Sequence, residues 1–325
     1  MRIEEVCKSR KIPNTSIETP LLIPAFSSAT YGIVDNTKMD LIGKIYMFLK
    51  EKIKKASLFS AYDLFNGFIN KNEIHHPDIV FIDSGIYEFD CYNKTGKKVE
   101  WSYQKYLETL DSIKPSKSCV LINFDKKTNI KSQILEANNF FNRYPSCIKD
   151  FLYKPNQADQ FVDMDELIEN IDELKKFDII GITEKELGHS PLKRCENLLK
   201  LRLSLNSVNL PIPIHIFGCL DFLSILSFYF CGADIFDGLS WLRYGYYKNI
   251  SIHVNNYALI EGFWEENISN IYDLTYIRNL SQLIDFMEMM KTFSYTYNYN
   301  VFNMKEKILN QLKLLINNAG IDVMV

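Results

Sequence analysis

Residues 213–243 read PIHIFGCLDFLSILSFYFCGADIFDGLSWLR. A short apolar run ends at Gly218, a segment of helical length follows, and a second apolar run, Ala233 to Phe236, stops on Asp237. Strand, helix and strand in that order is the repeating unit of a parallel sheet. A carboxylate placed where an apolar strand runs out is held by a rigid element and still faces a cleft. At the C-terminal edge of a parallel barrel, that is where reacting groups sit.

The same alternation extends in both directions. Apolar strands are expected at Leu21–Phe26, Val80–Ile82, Val120–Phe124, Phe151–Tyr153, Asp178–Gly181, Ile212–Phe217 and Ala233–Phe236, with an eighth near Ser251–Val254. Segments of helical period fall between them at Met39–Lys55, Ser102–Ile113, Ile130–Asn142, Met164–Lys176, Leu192–Leu205 and Asp221–Cys231. Asp163, with Glu166 three residues on, is a capping pair that opens the fourth of these. Seven or eight such units without an internal linker favour an α/β chain closed as a (β/α)8 TIM barrel. An open doubly wound sheet is the weaker reading, partly because no GxGxxG or GxxxxGK phosphate loop appears. Residues 1–325 read as a single domain, with an irregular aromatic and basic segment at 239–300. A C-terminal amphipathic helix lies within 301–325, its Ile308, Leu309, Leu312, Leu315 and Ile316 turned toward the core.

The chain has 325 residues, 47% of them hydrophobic, which is enough for one barrel of roughly 250 residues plus extensions. A net charge of -3 gives no global attraction to nucleic acid, so any such contact must come from a local patch. The seven cysteines are scattered and form no CxxC pair, which reads as reduced thiols in a cytoplasmic protein. The charged N-terminus lacks a signal-peptide core. The run Ile212–Cys231 contains His215 and Asp221, so no membrane partner is expected.

Three strands end in aspartate: VFIDSG at Asp83, VLINFD at Asp125 and DIFDG at Asp237. Aspartate is a poor strand residue and a common turn residue, so any one of them alone reads as a loop or cap. Three together ring one mouth of a barrel. Two carboxylates facing each other across a sugar are what glycosyl transfer through a covalent intermediate requires, and a third can accept from the donor edge of a base. Tyr87 and Phe217 are placed to stack on a flat ring. His215 reads as a packed core histidine, and His75 and His76 as structural residues at the other end of their strand.

These motifs resemble those of the tRNA-guanine transglycosylase family, which exchanges guanine for a 7-deazaguanine base on a (β/α)8 barrel. TPLLIPAFSSATYGIV at Thr19–Val34 is similar to the family's TPxFMPVGTxGxVK, and DSGIYE at Asp83–Glu88 to its DSGGYQ. NFD at Asn123–Asp125 resembles AFDE, FDIIGIT at Phe177–Thr183 resembles FDGYAIGG, IHIFG at Ile214–Gly218 resembles RYLMG, and ADIFDGLSWLR at Ala233–Arg243 resembles DMFDCVLPTR. The resemblance implies Asp237 as nucleophile, Asp83 as acid/base and Asp125 as the reader of the guanine edge. It also implies base contacts from Ser84, Tyr87, Gly181, Phe217 and Gly218, and a nucleic-acid contact from Arg243. The family's base-contacting glutamine falls on Asn156 or Gln157.

The chain also departs from that pattern. No cysteine follows Asp237, so the family's zinc-binding subdomain has no ligand set here and no metal is expected. Ile86 replaces the second glycine of DSGG, and Glu88 replaces its glutamine. A zinc-free member resembles the DNA-acting, DpdA-type branch, which inserts 7-deazaguanines such as preQ0 into DNA. Its expected partners are then DNA in preference to tRNA, a 7-deazaguanine base, and helper proteins that open the duplex. No cofactor is required. A zinc-free tRNA enzyme and a non-catalytic subunit of such an enzyme are the alternatives. Lys97, Lys98, Arg243 and Lys248 flank the expected mouth with tyrosines interleaved, a pattern that holds phosphates and stacks bases. The lysines between Lys44 and Lys55 read as a solvated helix face. The whole reading requires Asp83 and Asp237 to open on one cavity, with neither locked in a buried ion pair.

Overall fold

The computed structural model describes residues 1–31, 41–94 and 100–322. Eight parallel strands close on themselves in sequence order: β1 (Leu21–Phe26), β2 (Ala56–Ser60), β3 (Ile79–Asp83), β4 (Cys119–Ile122), β5 (Ile148–Tyr153), β6 (Ile179–Thr183), β7 (Ile214–Phe217) and β8 (Ile235–Gly238). Closure is made by β1 against β8, with Leu21 opposite Ile235 and Ile23 opposite Asp237. Every residue of β1, β2, β4, β7 and β8 is buried. This is the signature of parallel strands covered on both faces, which read as continuous apolar runs and not as alternation.

Helices fill the outer ring. In chain order they are α1 (Leu41–Leu49), α2 (Ala61–Phe65), α3 (Ile86–Asn93), α4 (Tyr103–Ile113), α5 (Ile130–Phe141), α6 (Met164–Glu169), α7 (Ile171–Leu174), α8 (Pro191–Ser207), α9 (Phe222–Phe230), α10 (Ser240–Arg243), α11 (Val254–Glu261), α12 (Ile268–Thr296) and α13 (Glu306–Asn318). Asp163 caps α6 as its sequence suggests, accepting from the backbone N–H of Asp165 and Glu166.

Two expectations are corrected. The eighth barrel strand is Ala56–Ser60, directly after a lysine-rich stretch; Ser251–Val254 contributes instead to β10 (Ile250–His253), which pairs antiparallel with β9 (Tyr244–Tyr247) outside the barrel. The strand ASLFS was hidden because it is short, carries two serines and abuts a helical pattern. In the structure Ser57 finds a backbone partner, donating to the Pro24 carbonyl. The second correction concerns residues 239–300, which are mostly regular. They hold the hairpin, α11 and the 29-residue α12, whose Tyr276, Leu280, Leu283, Met287, Met290 and Phe293 recur at helical spacing and are buried. α12 packs on β1 and β9 and completes the ring over the closing seam.

The lower end of the barrel is tied by charge. Asp234, just before β8, pairs with Arg10 at 2.6 Å and Arg202 at 2.5 Å and accepts from the Ile214 N–H. Arg202 also donates to the Gly232 and Ile212 carbonyls, so each of the three nitrogens of this buried guanidinium has an acceptor. No helix among the described residues is long and apolar enough to cross a membrane.

Candidate active site

β3 carries Asp83 at its last position, and the chain then turns through Gly85 (φ 81°) into α3. A side chain at Gly85 would strike Tyr62, so that turn accepts only glycine. The Gly85 N–H donates to Oδ2 of Asp83 at 3.2 Å. Burial, followed by the negative charges of Asp125, Glu88 and Asp237, raises the Asp83 pKa well above the ordinary carboxylate value. The charge of Asp237, at the same end of the barrel, therefore reaches Asp83.

Asp125, beyond the end of β4, accepts from the buried Ser84 hydroxyl at 2.6 Å. Its other oxygen faces Lys154, 3.6 Å away. Lys154 follows β5; its ammonium also lies 2.7 Å from Glu186 Oε2 and donates to the Thr183 hydroxyl at 3.2 Å. Burial works against the charge on Lys154, but Asp125 and Glu186 outweigh it and lift its pKa. Asn156 and Gln157 come later on the same loop, with Gln157 exposed, so the side chain that leaves β5 into the mouth is Lys154. Period 2 along the strand places Asp150, Leu152 and Lys154 on the lumen side.

Asp237 points inward from β8. Its Oδ1 accepts from the N–H of Gly218 at 3.1 Å, and His215 Nε2 stands 3.3 Å from the same oxygen. Gly218 takes φ 74° to present that N–H. The other imidazole nitrogen, Nδ1, is 2.7 Å from Asp150 Oδ2. His215 is thus no inert core residue. It is enclosed by Phe81 edge-on at 5.6 Å and by Phe217, whose ring centre is 3.9 Å away. Phe217 in turn covers Gly181, where a Cβ would meet its ring at 2.4 Å, so the glycine makes room for the aromatic. Among the described residues no hydrogen bond is made to Asp237 Oδ2. Asp237 is paired with the buried His215 through Oδ1 and, among the described residues, accepts no hydrogen bond at Oδ2.

Behind the mouth, Glu88 is buried and accepts from the hydroxyls of Ser27 and Ser60. Asp63 accepts from the N–H and hydroxyl of Ser28. Burial raises both carboxyls to about 7, and the charge of Asp63 adds to the rise at Glu88.

At the rim, Tyr87 is 48% exposed on the first turn of α3, and its hydroxyl accepts from Arg243 at 3.4 Å. Arg243 also donates to the Thr30 and Ala29 carbonyls. Lys248 belongs elsewhere. It sits at the tip of the β9–β10 hairpin with its ammonium over the Tyr247 ring, and its neighbour Asn249 ties that tip to the Phe302 carbonyl on the outer ring. Lys97 and Lys98 lie outside the described residues. Among the described residues no three His, Cys, Asp or Glu side chains are grouped to hold a metal ion.

The structure thus brings Asp83, Ser84, Asp125, Gly181, Phe217, Gly218 and Asp237 to one end of the barrel. Sequence reasoning passed over Lys154, Asp150, Glu186 and the role of His215. The lysine at the end of FLYK and the histidine inside IHIF, both at lumen-facing positions, were the available signals. A scan of protein-family models finds no match to this chain, and a search of curated proteins finds none either.

Proposed function

We infer that this chain is a base-exchange transglycosylase that replaces guanine in DNA with a 7-deazaguanine of the preQ0 type. The observation that carries the reading is the contrast between two strand-end carboxyls. Burial, followed by the like charges of Asp125, Glu88 and Asp237, raises the Asp83 pKa, and Asp83 makes no ion pair among the described residues, which favours its protonated form. Asp237 accepts its donors through one oxygen and leaves the other free. An acid whose protonated form is favoured and a carboxyl oxygen left free of hydrogen bonds, both at the C-terminal end of the barrel, are the pair a double displacement at C1' uses.

In the first displacement the Asp237 carboxylate forms a bond to C1', the bond to guanine breaks, its electron pair goes to the base, and Asp83 supplies the proton. In the second, the incoming base gives its ring N–H proton to the Asp83 carboxylate, its nitrogen attacks C1', and the ester bond to Asp237 breaks. Two inversions retain the configuration, and no energy source is consumed. Reaching C1' means flipping the nucleotide out, at a cost of a few kcal/mol. Stacking on Tyr87 and Phe217 and hydrogen bonding to Asp125 offset that cost. DNA is favoured over tRNA because no cysteine follows Asp237 to build the zinc grip on an anticodon loop.

The test is to offer the chain labelled guanine together with single-stranded DNA, duplex DNA or tRNA. Label entering DNA supports the reading, and label entering tRNA alone converts it to a zinc-free tRNA enzyme. Label entering none of them from a folded chain leaves only the non-catalytic subunit.

A further inference from the structure

We propose that Gly218 N–H and His215 Nε2–H form a two-donor cradle for Oδ1 of Asp237, so that Oδ2 is the attacking oxygen and His215, held by Asp150, governs departure of the carboxylate from C1'. The proposal rests on the transglycosylase reading and assigns to it a positioning residue and a choice of oxygen.

Both donors converge on one atom: Gly218 N at 3.1 Å and His215 Nε2 at 3.3 Å from Oδ1. The histidine does not choose its own orientation. Asp150, fully buried on β5, takes its Nδ1 at 2.7 Å, which fixes the ring and leaves Nε2 aimed at β8. Nε2 is buried, and its 3.3 Å approach to Oδ1 is a contact of charge that falls short of an aligned hydrogen bond in the resting site. The only titratable groups facing the ring among the described residues are Asp150 from β5 and Asp237 from β8. β3 presents Phe81, and β6 presents Gly181, beside Asp150 Oδ1. Burial lowers the imidazole pKa, but the two carboxylates outweigh it and raise it to about 9.

The chemistry follows from which oxygen is held. When Oδ2 bonds to C1', Oδ1 becomes the carbonyl oxygen of the ester and keeps its two donors. The imidazolium is then balanced by Asp150 alone. When the incoming base displaces Asp237, the electron pair of the C1'–Oδ2 bond returns to the carboxylate, and charge grows on Oδ1 against a cation already in place. Preorganised donors of this kind act where charge develops. A cation beside Asp237 favours the free carboxylate over the neutral ester, so its removal shifts the balance toward the ester.

The experiment compares wild type with His215→Gln, which keeps a neutral donor, and with Asp150→Asn, which leaves the ring without its buried counter-charge. Guanine release and discharge of the denaturation-resistant glycosyl-enzyme by added preQ0 are timed separately. His215→Gln is expected to slow discharge by roughly 100-fold and guanine release by less, so that the covalent complex accumulates. Discharge at the wild-type rate overturns the proposal. A readout independent of turnover is the His215 imidazole followed by nitrogen-15 NMR, expected to be protonated at pH 7.5 and to titrate at lower pH in Asp237→Asn. A neutral ring at pH 7.5, or a titration unmoved by Asp237→Asn, overturns the cradle alone. Absence of exchange by wild type on every nucleic acid offered overturns the transglycosylase reading instead.

Discussion

The ammonium of Lys154 lies 2.7 Å from Oε2 of Glu186, at the end of a barrel whose other named side chains are mostly acids. The side chain of Lys154 is 10% exposed and that of Glu186 15%, so this pair is only partly screened by water. Removing one member of such a pair leaves the other charge without compensation, which costs more than the pair contributes over an apolar substitute. Lys154→Met should therefore lower stability by about 3–5 kcal/mol. Adding Glu186→Gln should recover part of the loss, with a coupling of about 1–3 kcal/mol between the two changes. Urea midpoints of the four proteins in the cycle measure this; additive effects would mean the contact carries no energy.

Asp237→Ala should abolish both guanine release and the complex that survives denaturation, because both require the ester. Asp125→Ala should act differently. A hydrogen bond to a charged group is worth about 1.5–3 kcal/mol, so its loss should raise KM for the incoming base about 10- to 100-fold with a smaller change in kcat. Normal exchange by the Asp237 variant would remove the mechanism outright.

The barrel was legible because its strands are apolar runs bounded by turn residues, and that pattern survives without knowledge of tertiary contacts. The aspartates at 83, 125 and 237 were legible for the same reason, each marking the point where such a run stops. β2 was not, since five small and apolar residues beside Lys54 and Lys55 do not stand out from a helix end. Lys154 and Asp150 escaped notice because a charge on the lumen face of a strand looks, in one dimension, like a charge on its solvent face. Only the lateral pairing of the strands brings Asp150 on β5 to His215 on β7, and Lys154 after β5 to Asp125 after β4. α12 was obscured by its polar and aromatic composition, although its buried residues keep a three-and-four spacing.

Glu88 stands where the resembled family has glutamine, and the substitution carries a pH dependence. Its carboxyl is raised from 4.5 to about 7, first by burial and then by the charge of Asp63, against the lowering effect of Ser27 and Ser60. The folded chain thus holds this proton more tightly than the unfolded one. Its contribution is complete below about pH 4.5 and is lost as pH rises through 7. Glu88→Gln should remove that loss, so the variant gains on wild type by about 1–3 kcal/mol between pH 5 and pH 8. The charged form of Glu88 also raises the Asp83 pKa, so the basic limb of the exchange profile should move to lower pH in Glu88→Gln. Denaturation midpoints at pH 5 and 8 and a rate profile from pH 6 to 10 check both signs. A basic limb that moves upward would mean that Asp83 does not report the charge of Glu88.

Arg243 is the cation that the structure fixes at the rim, through the Ala29 and Thr30 carbonyls and the Tyr87 hydroxyl. A guanidinium held in place by backbone acceptors gives up little further side-chain freedom when it meets a phosphate. If it makes one phosphate contact, Arg243→Ala should weaken binding about equally for DNA of any sequence and reduce the dependence of log K on log salt by about 1. Lys248→Ala should leave that slope unchanged, because Asn249 fastens its hairpin tip to the outer ring at Phe302. Fluorescence anisotropy of a labelled single strand over a salt series separates the two. Equal slopes for wild type and Arg243→Ala would take the rim out of the binding surface and leave Tyr87 to act on the flipped base alone.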